Sequence, residues 1–578
     1  MKKKPVIAAL SIGINEKNFD IPMVGLDELE NALDGIENRN LDLVLFPQYV
    51  IGKNDPNEKK KQDLLKSFAK ERQCYVVFNY YIDNYSISEI LDRNGNSFGE
   101  YKKTHKIEGI DSDICLGDNL PVFELDFAKV ALLSGTDIYF PELSECYSLF
   151  GAEILLCSMG IEPLRDDTQI QRLLHSRAVM NFMFVVSATY ASEKPMYMIN
   201  NYDAMHGATL EDYDKIDHQD KFNSNGLGLL SGRACIYDLR GELLCSTGRD
   251  AGAVISSLPM AMKRESKKYI FGLGHPVWHQ NERGVFDDLS KEFTFKKKNY
   301  AVKKPIITFA HMTYKDTIGA WGNETEKTLN YQKLFAYMRE AAGYSDMVIF
   351  SELSAPTNEM TDDIKSKYSE IASENHCYIL INQEIEQRNI SVLFDRNGEQ
   401  ILSYEKVNGL CFMYDKIDKV GKELPVVELD FATIGVMVCA DAYCQEIPRI
   451  YALKGAELVI LQSQSWGFDS VHINEGFTRA FAIENGITVL MSNFPSSQVA
   501  HRTNIIDPSG ETIFASGYDR EGLYSVEVDV DAVINHESFI YKDGMVVRDF
   551  NFRERLMKAR RPELYEALTS KGFNKKTL

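Results

Sequence analysis

The chain has 578 residues, 44% of them hydrophobic and 26% charged, which is the composition of a soluble globular protein with room for about two to four domains. A formal charge of −20 argues against nucleic acid and anionic membrane surfaces as partners, and no apolar run approaches the length of a membrane span. Ten cysteines without CxxC pairs or regular spacing read as reduced thiols, so a cytoplasmic location is expected.

In chain order, Met1–Ile14 has the basic-then-apolar look of a secretion signal. Lys303-Lys304-Pro305-Ile306-Ile307 repeats that pattern deep in the chain, so both are read as the opening strand of a domain. Helical spacing over 26–39 leads to an apolar strand at 41–46 that ends in Pro47-Gln48. A helix over 63–73, a strand over 74–80 and the Asn94-Gly95 hairpin turn precede Tyr101-Lys102-Lys103. The strand carrying Leu132 and Gly135 comes next, then a helix over 143–150, a strand over 154–157, a helix over 168–181 and a strand over 184–189. Residues 190–225 are polar and read as a loop insertion. A strand over 234–239 leads toward a basic linker at 296–304.

The second half repeats this order. A helix over 326–342 precedes a strand over 347–350 that ends in Ser351-Glu352. A helix over 362–375, a strand over 378–382, the Asn397-Gly398 turn and Tyr404-Glu405-Lys406 follow. The strand into Cys439, a strand over 458–462, a helix over 474–485 and a strand over 488–492 complete it, with a basic, partly helical tail at 550–578. Alternating strands and helices, with apolar runs too continuous for one wet face, predict an α/β protein with helix-covered sheets.

The repetition is a duplication. Gly135 and Cys439 stand 304 residues apart, and Asp137 with Asp441, Glu142 with Glu446 and Leu120-Pro121-Val122 with Leu424-Pro425-Val426 keep that interval. The DRNG runs starting at Asp92 and Asp395 are 303 apart. A period this long fits two whole domains, not a solenoid unit. The expected boundaries are 1–295 for the first domain, 296–304 for the linker, 305–549 for the second domain and 550–578 for the tail.

Three residues stand out at strand ends in the second half: Glu352, Lys406 and Cys439. Each alone has a bland reading, as a loop acid, a surface lysine or a packed thiol. In this order, the strand-Glu, Tyr-x-Lys and Cys-x-Asp segments resemble the nitrilase superfamily of carbon–nitrogen hydrolases. Leu424-Pro425-Val426, Gly455-Ala456-Glu457, Ala482-Ile483-Glu484-Asn485 and Arg561-Pro562-Glu563-Leu564-Tyr565 extend the likeness over nearly the whole chain, twice. The resemblance implies two tandem α-β-β-α sandwiches forming a pseudo-dimer, with further homo-oligomerisation left open, and a Glu352-Lys406-Cys439 catalytic triad. It needs neither metal nor cofactor.

The chemistry of that triad can be argued on its own. A thiol must lose its proton to attack a carbon, and a neighbouring carboxylate can take it. Lys406 and the backbone N–H of Ala440 would hold the oxyanion, and Glu352 would return the proton to the leaving amine. Trp466 and Phe468 fall where the family lines its substrate pocket. In the first half Gln48 stands at the carboxylate place and Gly135 at the nucleophile place, leaving only Lys103, so that domain is expected to be catalytically dead.

The second half also departs from the family. Val407–Gly421 holds no second glutamate, Asp415 being the nearest acid. Ala440 follows the cysteine where amidases often have Tyr and nitrilases Trp-Glu, which favours an amidase or carbamoylase. The expected substrate is a small non-peptide amide or carbamoyl compound. A non-catalytic binding or scaffold protein and an acyltransferase using the same thioester are the alternatives. His275 and His279 have metal-like spacing, but Pro276 between them points to a turn.

Overall fold

The computed structural model describes residues 4–14, 24–36, 40–108, 111, 114–160, 167–192, 232–263, 284–293, 298–313, 324–355, 360–408, 419–464, 471–496, 502–531, 538–542, 545–549 and 552–572. The chain forms two compact units. Unit 1 takes Met1–Gly272 with Glu537–Ala567 and Asn574–Leu578, and unit 2 takes Leu273–His536 with Leu568–Phe573.

Unit 2 carries two six-stranded sheets. The first runs in the order Gln400–Glu405, Arg388–Phe394, Tyr378–Ile385, Met347–Phe350, Ile306–His311, Gly522–Glu527. The second runs Val426–Glu428, Thr433–Val438, Leu458–Gln462, Thr488–Ser492, Asn504–Ile506, Thr512–Ala515. Central strands pair in parallel and outer ones antiparallel. The apolar runs explain this. Met347–Phe350, Thr433–Val438 and Leu458–Gln462 are buried along their whole length, as strands covered on both faces must be.

Helices Glu324–Ala342 and Asp362–Asn375 cover one sheet. Leu334, Met338, Tyr368 and Ile371 from these helices join Val348, Ile379 and Val392 in one core. Helix Asp362–Asn375 starts at Thr361, whose hydroxyl accepts from Ile364 N–H at 3.3 Å, a standard N-cap.

Unit 1 repeats the order. Ser97–Lys102, Tyr85–Leu91, Tyr75–Ile82, Leu43–Leu45 and Val6–Ile14 form one half of its sheet, and Phe184–Ser192, Ile154–Ser158, Lys129–Ser134 and Phe123–Glu124 the other. The halves join into one sheet because Ser11–Ile14 pairs in parallel with Thr189–Ser192, and Cys235–Tyr237, Leu243–Ser246 and Gly252–Ser257 bring it to twelve strands. The expected insertion at 190–225 begins as the end of that strand, and residues 193–231 lie outside the described residues.

The DRNG repeats are turns with a second task. Asp395 accepts from the N–H groups of Asn397 at 2.9 Å and Glu399 at 2.8 Å. Arg396 then forks onto Asp430 at 2.8 and 3.2 Å, meets Asp346 at 2.8 Å and lies over the Tyr378 ring. Arg93 does the same with Asp126, Asp42 and Tyr75. Each arginine ties a hairpin turn to two further segments of its own unit.

The units are cut differently from the expected boundaries at 295, 305 and 549. Residues 284–293, expected in the first domain, belong to unit 2, where Asp288 meets Lys454 at 2.8 Å and Phe286 and Leu289 are buried. Tyr300, in the expected linker, is buried against Thr433 at 2.9 Å and hydrogen-bonds Glu457. Most of the described tail belongs to unit 1. Arg560 pairs with Glu142 at 2.8 Å with both side chains 2% exposed, and Tyr565 stacks on His105 with ring centroids 5.7 Å apart. Buried charges are held this way because each needs a partner.

Candidate active site

Cys439 follows the buried strand Thr433–Val438 and adopts φ +45°, a conformation that costs an L-residue about 1–2 kcal/mol. The chain breaks there into the 3-10 turn Cys439–Tyr443, and only then enters helix Glu446–Leu453. Asp441 holds the turn. Its carboxylate accepts from Val438 N–H at 2.8 Å, Asn408 N–H at 2.8 Å and the Tyr404 hydroxyl at 2.6 Å. Burial pushes the Asp441 carboxyl up to about 6, against the pull of Tyr404 and Lys406. Gly435, in the strand before, leaves room for the Tyr451 ring, since a β-carbon there would lie 2.5 Å from it.

Glu352 ends the strand Met347–Phe350 two residues on, and Lys406 follows the strand Gln400–Glu405. The structure brings both to Cys439. Lys406 Nζ donates to Glu352 Oε1 at 3.0 Å, with both side chains nearly sealed from solvent. Asn389 Nδ2 donates to the same oxygen at 2.9 Å, and Gln464 N–H to Oε2 at 2.9 Å. The Glu352 carboxylate, the Lys406 ammonium and Ser463 all act on the Cys439 thiol.

Burial and the Glu352 charge push that thiol up to about 12, while the Lys406 ammonium pulls the other way. At neutral pH the sulfur therefore keeps its proton, beside a carboxylate able to remove it. Cys439 is half-buried, so some of its surface remains open.

Ala440 is fully buried, and its carbonyl accepts from Asn408 Nδ2 at 2.6 Å. Trp466, Phe468, Asp415, His275 and His279 lie outside the described residues. Asn389, Gln464, Ser463 and the Tyr404–Asp441 pair were not anticipated as site residues. Inward polar side chains on apolar strands, such as Asn389 and Ser391 in RNISVLF, are the signal that could have found some of them.

The corresponding place in unit 1 is filled differently. Gly135 has φ +51°, so the sharp turn is kept without its thiol. A β-carbon on Gly135 would lie 2.5 Å from Gln48 Oε1, and one on Gly160 would lie 2.7 Å from the same atom. The Gln48 amide thus occupies the room a nucleophile would need. Lys103 donates to the Ser134 carbonyl and Thr136 Oγ1, each at 2.8 Å, and reaches Asp137 at 3.4 Å and Asp111 at 3.7 Å.

Among the described residues no helix is long and apolar enough to cross a membrane. A 2-oxoglutaramate amidase of Bacillus subtilis is 24% identical over 44% of this chain and 88% of its own length. A Schizosaccharomyces pombe protein named as a probable nitrilase is 28% identical over 35% of this chain and 83% of its own. A solved amidase from Nesterenkonia sp. aligns at 17% identity and a TM-score of 0.34, covering 47% of this chain and 97% of that one. The carbon-nitrogen hydrolase family model matches twice, over residues 9–268 and 317–536, so the chain belongs to the carbon–nitrogen hydrolase family and carries two copies of its fold.

Proposed function

We propose that unit 2 is an amidase acting on a small non-peptide amide or carbamoyl compound through a Cys439 thioester, and that unit 1 is catalytically silent. The observation that carries this reading is the buried Glu352 carboxylate, held by Lys406, Asn389 and Gln464 N–H and acting on the Cys439 thiol.

The thiol proton passes to Glu352 as sulfur attacks the amide carbon, and the Lys406 ammonium balances the oxyanion that forms. Collapse breaks the C–N bond, and Glu352 gives its proton to the departing amine. Water, deprotonated by Glu352, then attacks the thioester and frees Cys439 with the acid product. Relatives named 2-oxoglutaramate amidase and omega-amidase, the latter from Saccharomyces cerevisiae and 26% identical over 26% of this chain, favour an amide over a nitrile substrate. Nine cysteines are free among the described residues, which supports a reducing compartment such as the cytoplasm.

In unit 1 a glutamine cannot take a thiol proton, and Gly135 has no nucleophile. Ammonia release from short amides, with intact-protein mass spectrometry to trap an acyl adduct on Cys439, tests the reading. An adduct and turnover that both vanish in Cys439→Ala support it. Wild-type protein that neither forms an adduct nor releases ammonia would move the assignment to a binding protein.

A further inference from the structure

Glu352 has more partners than its proton transfer requires, and their order is informative. Leu353 N–H, a backbone group that can only donate, reaches Asn382 Oδ1 at 2.7 Å. This fixes which end of the Asn382 amide is the carbonyl. Asn382 Nδ2 must then point the other way, donating to Asn389 Oδ1 at 2.8 Å and Ser391 Oγ at 3.0 Å. Asn389 is oriented in turn, and its NH2 faces Glu352 Oε1 at 2.9 Å. Asn382 is fully buried, so water does not compete for it. Two amides that could each flip are locked by one backbone donor.

The consequence falls on the two carboxylate oxygens. Oε1 accepts from Asn389 and from Lys406 at 3.0 Å, which fills both of its lone-pair directions. Oε2 accepts from Gln464 N–H at 2.9 Å, which leaves one direction open among the described residues. A proton taken from the thiol has a place on Oε2 and none on Oε1 unless a donor is first expelled.

We infer that Asn389, oriented through Asn382 by the backbone N–H of Leu353, is a positioning residue that confines the transferable proton to Glu352 Oε2. It moves from Cys439 Sγ to Oε2 and from Oε2 to the amine nitrogen, and Asn389 exchanges no proton itself. The inference rests on the amidase reading above. Among the described residues the charged and titratable groups facing Glu352 are Cys439 and Lys406, with Asp441 coupled to Lys406 from the turn.

Ammonia release from propionamide and from succinamate, followed from pH 5 to 9, tests it on the full chain. Asn389→Ser is the primary variant, because Ser86 stands at the corresponding place in unit 1 and that strand is formed. The expected result is a kcat lower by about a hundredfold with KM within about threefold of wild type. The acid limb of kcat/KM should also move to higher pH, because a carboxylate that has lost a donor is more easily protonated. Asn389→Asp should recover part of its loss toward low pH, where a protonated aspartic acid can again donate to Oε1.

Wild-type kcat and acid limb in Asn389→Ser, or a loss confined to KM, would overturn the positioning role while leaving the amidase reading intact. If wild type turns over neither amide, or Cys439→Ala matches wild type, the amidase reading fails and the relay falls with it.

Discussion

The two halves keep one scaffold and differ at the few atoms that matter for chemistry. Both make the sharp turn after a buried strand, at φ +45° on Cys439 and +51° on Gly135. Both hold that turn with a buried aspartate bonded to a tyrosine hydroxyl, Asp441 with Tyr404 and Asp137 with Tyr101. They part at the lysine. Lys406 faces a glutamate, whereas Lys103 is turned to Ser134, Thr136 and two aspartates. The comparison separates what holds the fold from what the chemistry needs. The aspartate, tyrosine and turn survive without a nucleophile, so their work is architectural. The glutamate partner of the lysine and the thiol are absent together from unit 1.

The largest effect expected from breaking this contrast is Cys439→Ala, which should lower amide turnover by at least about 10⁴-fold, read as ammonia release with Tm unchanged within a few degrees. Glu352→Gln gives unit 2 the residue type of Gln48. Turnover should fall by about 10³-fold, since the amine loses its proton donor. The same change removes the negative charge that helps lift the Cys439 thiol to about 12. Haloacetamide labelling of that thiol, followed by mass spectrometry, should therefore begin at lower pH than in wild type. Labelling that begins at higher pH would contradict the geometry of the pair.

How much of this was legible beforehand follows from where each residue sits. Cys439, Lys406 and Glu352 end strands whose apolar runs are unmistakable, and the 304-residue offset exposed their altered counterparts. Asn389 and Asn382 lie within strands, and nothing local says which polar side chain on a strand turns inward to a carboxylate. The redirected Lys103 was equally invisible, because its sequence neighbours match those of an active lysine while its partners, Thr136 and Asp111, come from other loops. The unit boundaries escaped for a similar reason. Pairing of Arg560 with Glu142 spans 418 positions, and composition carries no trace of so distant a partner.

Smaller effects sharpen the architectural side. Arg560→Ala should cost unit 1 about 3–5 kcal/mol, because it removes the cation paired with a buried carboxylate; calorimetry should place the loss in one transition of the two. Gly135→Cys should cost about 1–3 kcal/mol through contact with Gln48 and the strain of φ +51°. It should restore no activity even alongside Gln48→Glu, with Lys103 still held at Ser134.

The last expected effect is electrostatic. The folded Asp441 carboxyl is raised from 3.8 to about 6, so the folded state binds its proton more tightly than the unfolded chain. Its contribution to stability is complete below about 3.8 and is lost as pH rises through about 6. Urea titrations across that window should show this slope in wild type and its absence in Asp441→Asn.

The membership of residues 537–567 in unit 1 bears on how the chain is made. Arg560 and Tyr565 leave the ribosome roughly 300 residues after Gly252–Ser257, the strand that pairs with the opening strand of that unit. At about 5–20 residues per second the interval is roughly 15–60 s. For that time Glu142 and the face of His105 wait without the groups that cover them. Completion of unit 1 thus waits on synthesis of most of unit 2, although unit 1 begins first.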